Sequence, residues 1–213
     1  MTTLADRLRP SFGRAVPAAG SPVASRAARA AILSYDVPLV LGASFLIALS
    51  AQVAIPLPFS PVPVTAQTLA LLIMAAGLGR VRAAAAALCY LAEGASGLPV
   101  FAGGSAGPHV LAGPTGGYLA GFVPAAWLVG ALAERGWDRH FGLTAVAMLA
   151  GNAVVLALGA AWLGVFVGVE RAIALGVVPF LFGDLVKSGM AALLLPLAWR
   201  ALGRRGNEAD VRP

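Results

Sequence analysis

Three ionisable side chains lie inside long apolar runs or at their edges: Glu93, Asp184 and Lys187. A charged group at membrane depth costs at least ~2.5 kcal/mol on insertion scales, so each needs a partner or a task. Asp184 and Lys187 are three residues apart and share one helix face. On that face Lys187 can receive a ligand carboxylate while Asp184 accepts from ligand N–H groups. The stretch "PFLFGDLVKSG" also reads as a helix start, with Asp184 as N-cap after Gly183. In that reading Lys187 pairs with Asp184 or extends its head to the interface. The two readings are compatible. Glu93 reads as a solvated or interfacial carboxylate near the end of its run.

Uncharged candidates are more numerous and less specific. Asn152 and Gln52 sit within apolar runs, where such residues join helices or contact a ligand. In "AGPTGGYLAG", Thr115 is a plausible N-cap after Pro114. Gly116 and Gly117 then allow close approach of a backbone or a ligand, at a helix N-terminus suited to an anionic group. Upstream, "GLPVFAGGSAGP" places Phe101 beside a flexible glycine run. Ser44 and Ala48 form a small-xxx-small pair suited to packing against another membrane helix. His109 has no second ligand at metal spacing, so a metal site is not expected. Cys89 reads as a small buried hydrophobe. There is no phosphate-binding G-x-x-x-x-G-K-[ST] and no nucleophile–base set, so neither ATP binding by such a loop nor enzymatic activity is expected.

The elements that must position these residues are set by composition. Of 213 residues, 59% are hydrophobic and 11% charged, and mean hydropathy is +0.85. Soluble domains average about 25% charged, so an all-α integral membrane protein is expected. Six spans fit: about 37–56, 65–79, 82–98, 115–133, 141–168 and 184–202. Residues 1–34 lack the apolar core of a signal peptide and read as a disordered cytoplasmic arm. Residues 35–203 form the membrane domain and 204–213 a cytoplasmic tail.

Basic residues orient the spans. Arg26 and Arg29 precede the first, Arg80 and Arg82 follow the second, Arg135 and Arg139 follow the fourth, and Arg200, Arg204 and Arg205 come at the end. The positive-inside rule gives both termini inside. The net charge of +6 is therefore topological, and no nucleic-acid surface is expected. Three long, largely uncharged loops fall on the outer side, where they are expected to build a lid and a pocket. One, "VAIPLPFSPVPVTAQT", holds four prolines, which stiffen it as a lid would require. Pro58, Pro61 and Pro63 are its expected lid residues.

Together "PLPFSPVPVTAQTL", "GLPVFAGG", "GPTGGYLAGF" and "PFLFGDLVKS" resemble the BioY family, the biotin-specific substrate-binding (S) components of energy-coupling factor (ECF) transporters. The resemblance covers about residues 35–202 and lies in order through the outer loops. It implies a six-helix fold, biotin bound from outside, and a bacterial or archaeal cell membrane. It also implies partners: a transmembrane T component, paired ATPases and membrane lipid. No cofactor is implied; biotin is the substrate. The family's polar residues on helix six match Asp184 and Lys187. Its T-component contact, Ala-x-x-x-Ala on helix one, is here Ser44 and Ala48. Biotin carries a carboxylate, an apolar body and a ureido group; Phe59, Phe101, Tyr90, Tyr118 and Trp162 are the expected apolar walls. An S component for another vitamin and a self-contained secondary transporter are the alternatives; the latter lacks recognisable inverted halves. Self-association to a homo-oligomer is left open.

Overall fold

The computed structural model describes residues 3–7 and 22–209, with side chains described over 3–7 and 34–201. In chain order the helices are α1 (Leu4–Arg7), α2 (Pro22–Ala51), α3 (Gln67–Leu78), α4 (Arg80–Ala95), α5 (Pro108–Ala112), α6 (Gly116–Glu134), α7 (Phe141–Val167), α8 (Val169–Gly176) and α9 (Val178–Ala209). The chain is thus mostly helical, as its apolar composition requires: in lipid a helix satisfies its own backbone groups. Among the described residues, four runs are long and apolar enough to cross a membrane: Ser34–Ala51, Gly116–Glu134, Phe141–Val167 and Val169–Ala201. α3 is a shorter apolar helix of 12 residues, about 18 Å at 1.5 Å per residue.

α6 is the central element. Of its span 72% is buried, against 22%, 33% and 28% of the other three. Around it pack α3, α4 and α7, with α2 outside α3 and α4, and α9 against α7 and α3. The core contains Leu71, Leu72, Tyr90, Phe122, Val129 and Met148. Gly79, at φ +83°, turns α3 directly into α4, a conformation that favours glycine. Gly130 of α6 brings that turn close: a Cβ there would lie 2.5 Å from the Arg80 backbone nitrogen.

Several expectations change. The expected first span ends in a turn rather than a helix: Ala54–Ile55 (β1) pairs antiparallel with Val64–Thr65 (β2) and closes the base of the proline-rich loop. The prolines lie between these short strands, where no ladder N–H is needed. The stretch "GVERAIALGVVPFLFG", between the fifth and sixth expected spans and so expected as one of the three loops, is instead α8 and the start of α9. Asp184 is therefore not an N-cap. α9 begins at Val178, with Pro179 in its first turn, where a missing N–H costs nothing. Part of the arm expected over 1–34 lies outside the described residues. Within them, α1 is seated on the bundle and α2 begins at Pro22. The expected tail likewise continues α9 to Ala209, and 210–213 lie outside the described residues.

Ser44 and Ala48 do not present a free face. They are 0% and 7% exposed, and the Ser44 hydroxyl donates to Glu93 Oε2 at 2.6 Å. Cys89 Sγ lies 3.4 Å from Glu93 Oε1. Glu93, half-buried, thus ties α4 to α2 within the chain.

Candidate functional site

On the side of the proline-rich loop, α3, α6, α7 and α9 leave a cavity of about 250 Å³, room for one small molecule. The proline-rich loop and the segment around Phe101 roof it. One end is polar, lined by Thr65, Gln67, Thr68, Asp184 and Lys187. The rest is apolar, with Phe101, Tyr118, Leu119, Phe122 and Phe180 prominent.

Lys187 is largely buried and already engaged. Its Nζ donates to the Thr65 carbonyl at 2.8 Å and the Thr68 hydroxyl at 3.1 Å, and lies 3.5 Å from Asp184 Oδ1. The ammonium thereby ties α9 to β2, at the end of the proline-rich loop, and to the start of α3. Asp184 is 6% exposed, and the Lys187 ion pair is its one recorded partner among the described residues. Its oxygens retain acceptor capacity toward the cavity.

Sequence reasoning missed the lining of α3. The Thr65 hydroxyl donates to Gln67 Oε1 at 3.0 Å and accepts from the Gln67 backbone N–H at 3.4 Å. Gln67 Nε2 donates to the Tyr90 hydroxyl, which in turn donates to the Val100 carbonyl at 3.1 Å. The available signal was three polar residues in "VTAQT" opening an apolar helix.

The expected residues divide. Asp184, Lys187, Phe101, Tyr118, Thr115, Pro61 and Pro63 line the cavity; Phe59, Pro58, Tyr90, Asn152, Gly116, Gly117 and Trp162 do not. Phe59 is 58% exposed and points away, while Val62, 5% exposed, turns inward between the two lining prolines. The Ser60 hydroxyl sets this orientation by donating to the Leu175 carbonyl of α8 at 2.8 Å. Tyr90 stands behind the wall, edge-on to Phe101 at 5.5 Å between ring centroids. The glycines serve packing. A Cβ at Gly116 would lie 1.8 Å from the Leu111 carbonyl oxygen, and one at Gly117 2.2 Å from Trp162 Cβ. Trp162 instead donates from Nε1 to the Gly113 carbonyl at 2.9 Å. Thr115 holds the N-cap position of α6, but its hydroxyl makes no cap bond and reaches Val110 O at 3.4 Å. Asn152 sits one layer deeper, donating to Ser188 Oγ at 3.2 Å. Tyr118 is fixed by donating its hydroxyl proton to Gly176 O at 2.7 Å, which leaves its ring as wall.

A polar pole with a cation and an anion, facing an apolar chamber under a lid, suits a small molecule that is polar at one end. Comparison with known proteins agrees. A family model described as the BioY family matches residues 23–204. The chain is 41% identical over 150 residues to a "Biotin transporter BioY" of Thermotoga maritima, covering 70% of this chain and 86% of the relative. It is 36% identical over 162 residues to a protein of the same name from Rhizobium etli, covering 72% and 87%. In fold it is similar to the crystal structure of an S-component for biotin from an ECF-type ABC transporter. The TM-score is 0.69 at 23% identity, covering 78% of this chain and 90% of that one.

Proposed function

The chain belongs to the BioY family, and from that premise we propose that its outer cavity captures biotin for uptake across a prokaryotic cell membrane. The observation that carries this reading is the pairing of Asp184 and Lys187 at the polar end of an otherwise apolar chamber. Biotin's ureido group offers two N–H donors around one carbonyl, its rings and chain are apolar, and its tail ends in a carboxylate. Asp184 accepts a ureido N–H. Lys187 gives up part of its hold on Thr65 and donates to a ligand oxygen. Buried polar groups matched in this way favour biotin and penalise analogues that leave them unpaired.

Arrangement in the membrane follows the charges. Six spans, α2, α3, α4, α6, α7 and α9, place Arg80, Arg82, Arg135, Arg139 and Arg200 at one end, which is the cytoplasmic end. Lipid covers the exposed apolar side chains Phe45, Val165 and Phe182, which are 60%, 78% and 78% exposed on the isolated chain. The chain carries no nucleotide-binding loop; a T component and its ATPases supply the energy, and the reading requires no second copy of the chain. Competition tests the assignment. Labelled biotin bound to the purified chain should be displaced by biotin and not by thiamin or riboflavin. Equal displacement by either vitamin would place the chain with an S component of different specificity.

A further inference from the structure

We propose that Gln67 determines specificity in this pocket: its side-chain carbonyl oxygen accepts one ligand N–H, and Tyr90 holds the amide in that orientation. The inference rests on the biotin reading above and deepens it. Gln67 is 4% exposed and lines the cavity. A primary amide can sit either way round, and the two orientations offer a ligand opposite chemistry. Here the neighbours decide. The Tyr90 side chain is fully buried and its hydroxyl has one proton, which goes to the Val100 carbonyl at 3.1 Å. Toward Gln67 that hydroxyl must therefore accept, so Nε2 faces Tyr90 and Oε1 faces the other way. Oε1 takes the Thr65 hydroxyl proton at 3.0 Å. A carbonyl oxygen has two lone pairs, so one acceptor position remains.

Placement gives this acceptor its meaning. Lys187 is bonded to Thr65 and Thr68, the residues on either side of the Ala66–Gln67 pair. The polar end of the cavity thus offers an ammonium donor, with the Asp184 carboxylate and the Gln67 carbonyl as acceptors. A cyclic urea has the complementary order: one carbonyl acceptor between two N–H donors. Lys187 meets the carbonyl, Asp184 one N–H and Gln67 the other. Tyr90 is a positioning residue that touches no ligand; it reaches the ligand only through Gln67.

The test uses the full chain in detergent and titrates biotin and its two singly N-methylated ureido analogues by calorimetry. Wild-type protein should prefer biotin over both. Gln67→Ala should weaken biotin about tenfold, the loss of one buried hydrogen bond. It should also bind one of the two analogues, the one methylated at the nitrogen facing Gln67, as well as it binds biotin. The other analogue should stay discriminated. Tyr90→Phe should narrow the gap for that same analogue, and Tyr90→Phe added to Gln67→Ala should not change the gap further. These are ratios within each variant, so they are read on whatever fraction folds. Gln67→Ala with the full wild-type preference over both analogues would overturn the role of Gln67; an unchanged preference in Tyr90→Phe would overturn that of Tyr90. Wild-type protein that fails to bind biotin would overturn the underlying reading, and this shows in the first titration.

Discussion

The two ends of the bundle are held by different forces. At the cavity end, side chains meet across a cavity, and several bonds run from a side chain to a main-chain carbonyl: Lys187 to Thr65, Ser60 to Leu175, Tyr118 to Gly176, Tyr90 to Val100. At the opposite end ion pairs, a hydrogen bond and ring contacts close the bundle. Arg82 bonds Asp36 and Asp6, both at 2.8 Å. The Tyr35 hydroxyl donates to the Ala5 carbonyl at 2.7 Å. The ring of Trp199 lies 5.6 Å from the Arg7 guanidinium and 4.5 Å from that of Arg139, and its Nε1 donates to Asp138. The turn of α1 is thus a clasp over α2, α4 and α9 at the end away from the cavity. The contrast teaches a division of labour: the clasp end fixes the helices, and the cavity end retains polar groups with spare hydrogen-bonding capacity.

Changes at the cavity end should alter binding, and changes at the clasp end only stability. Lys187→Ala should have the largest effect. It removes the donor to the ligand and the tie to the lid ribbon together, and biotin affinity should fall by more than ~1.5 kcal/mol, at least tenfold. Asp184→Ala should fall in the same range. Equilibrium titration measures both, and unchanged affinity in both would reduce the pair to a helix–helix tie.

Matched glycine substitutions come next. A Cβ at Gly94 would lie 2.1 Å from the Phe101 ring, and one at Gly130 lies against the α3–α4 turn. Each overpacks its site at a cost of about 1–3 kcal/mol. Gly94→Ala should lower both melting temperature and affinity, because the displaced Phe101 ring lines the cavity. Gly130→Ala should lower melting temperature alone. Equal losses of affinity would erase the distinction between the ends.

Substituting Pro58, Pro61 and Pro63 by Gly should speed biotin release several-fold while changing stability less. Each proline restricts the open loop, an effect of about 0.4–1 kcal/mol per site. Stopped-flow chase measures the rate; an unchanged rate would make the loop a plain connector.

The smallest effect belongs to the clasp. Burial alone would raise the Asp6 carboxyl, but hydrogen bonds from Arg82 and Thr3 outweigh it and hold the group below its ordinary value of 3.8. A carboxyl lowered on folding contributes stability above its unfolded value, and that contribution is lost as pH falls through the folded one. Asp6 is 32% exposed, so the contribution is modest. Asp6→Asn at neutral pH should lower the melting temperature by no more than roughly 2–4 °C, leave biotin affinity unchanged, and remove part of the acid sensitivity below about pH 4.

How much of this was legible in the sequence depended on whether the signal was local. Helix positions were readable because apolar runs and arginines mark membrane depth directly; the 141–168 estimate against Phe141–Val167 shows it. Asp184 and Lys187 were readable because charge in an apolar run is conspicuous. The start of α9 was misjudged because Asp184 mimics a cap, while Pro179 is the better mark. The inward residue of the lid was misjudged because Ser60 anchors to Leu175, a contact 115 residues away that no local pattern announces. Gln67 and Thr68 were missed because uncharged polar residues at a helix start look like ordinary loop chemistry. The clasp was missed because α1 is a single turn, ordered by Tyr35, Arg82 and Trp199 from distant parts of the chain.

Central to this account is that the isolated chain holds biotin in its outer cavity through Lys187 and Asp184. Calorimetric titration of biotin into the purified, detergent-solubilised chain tests that most directly, with Lys187→Ala titrated beside it. The account predicts saturable binding by the wild-type chain at one biotin per chain and at least tenfold weaker binding by the variant. Absence of binding by the wild-type chain, or equal affinity in the two, would contradict it.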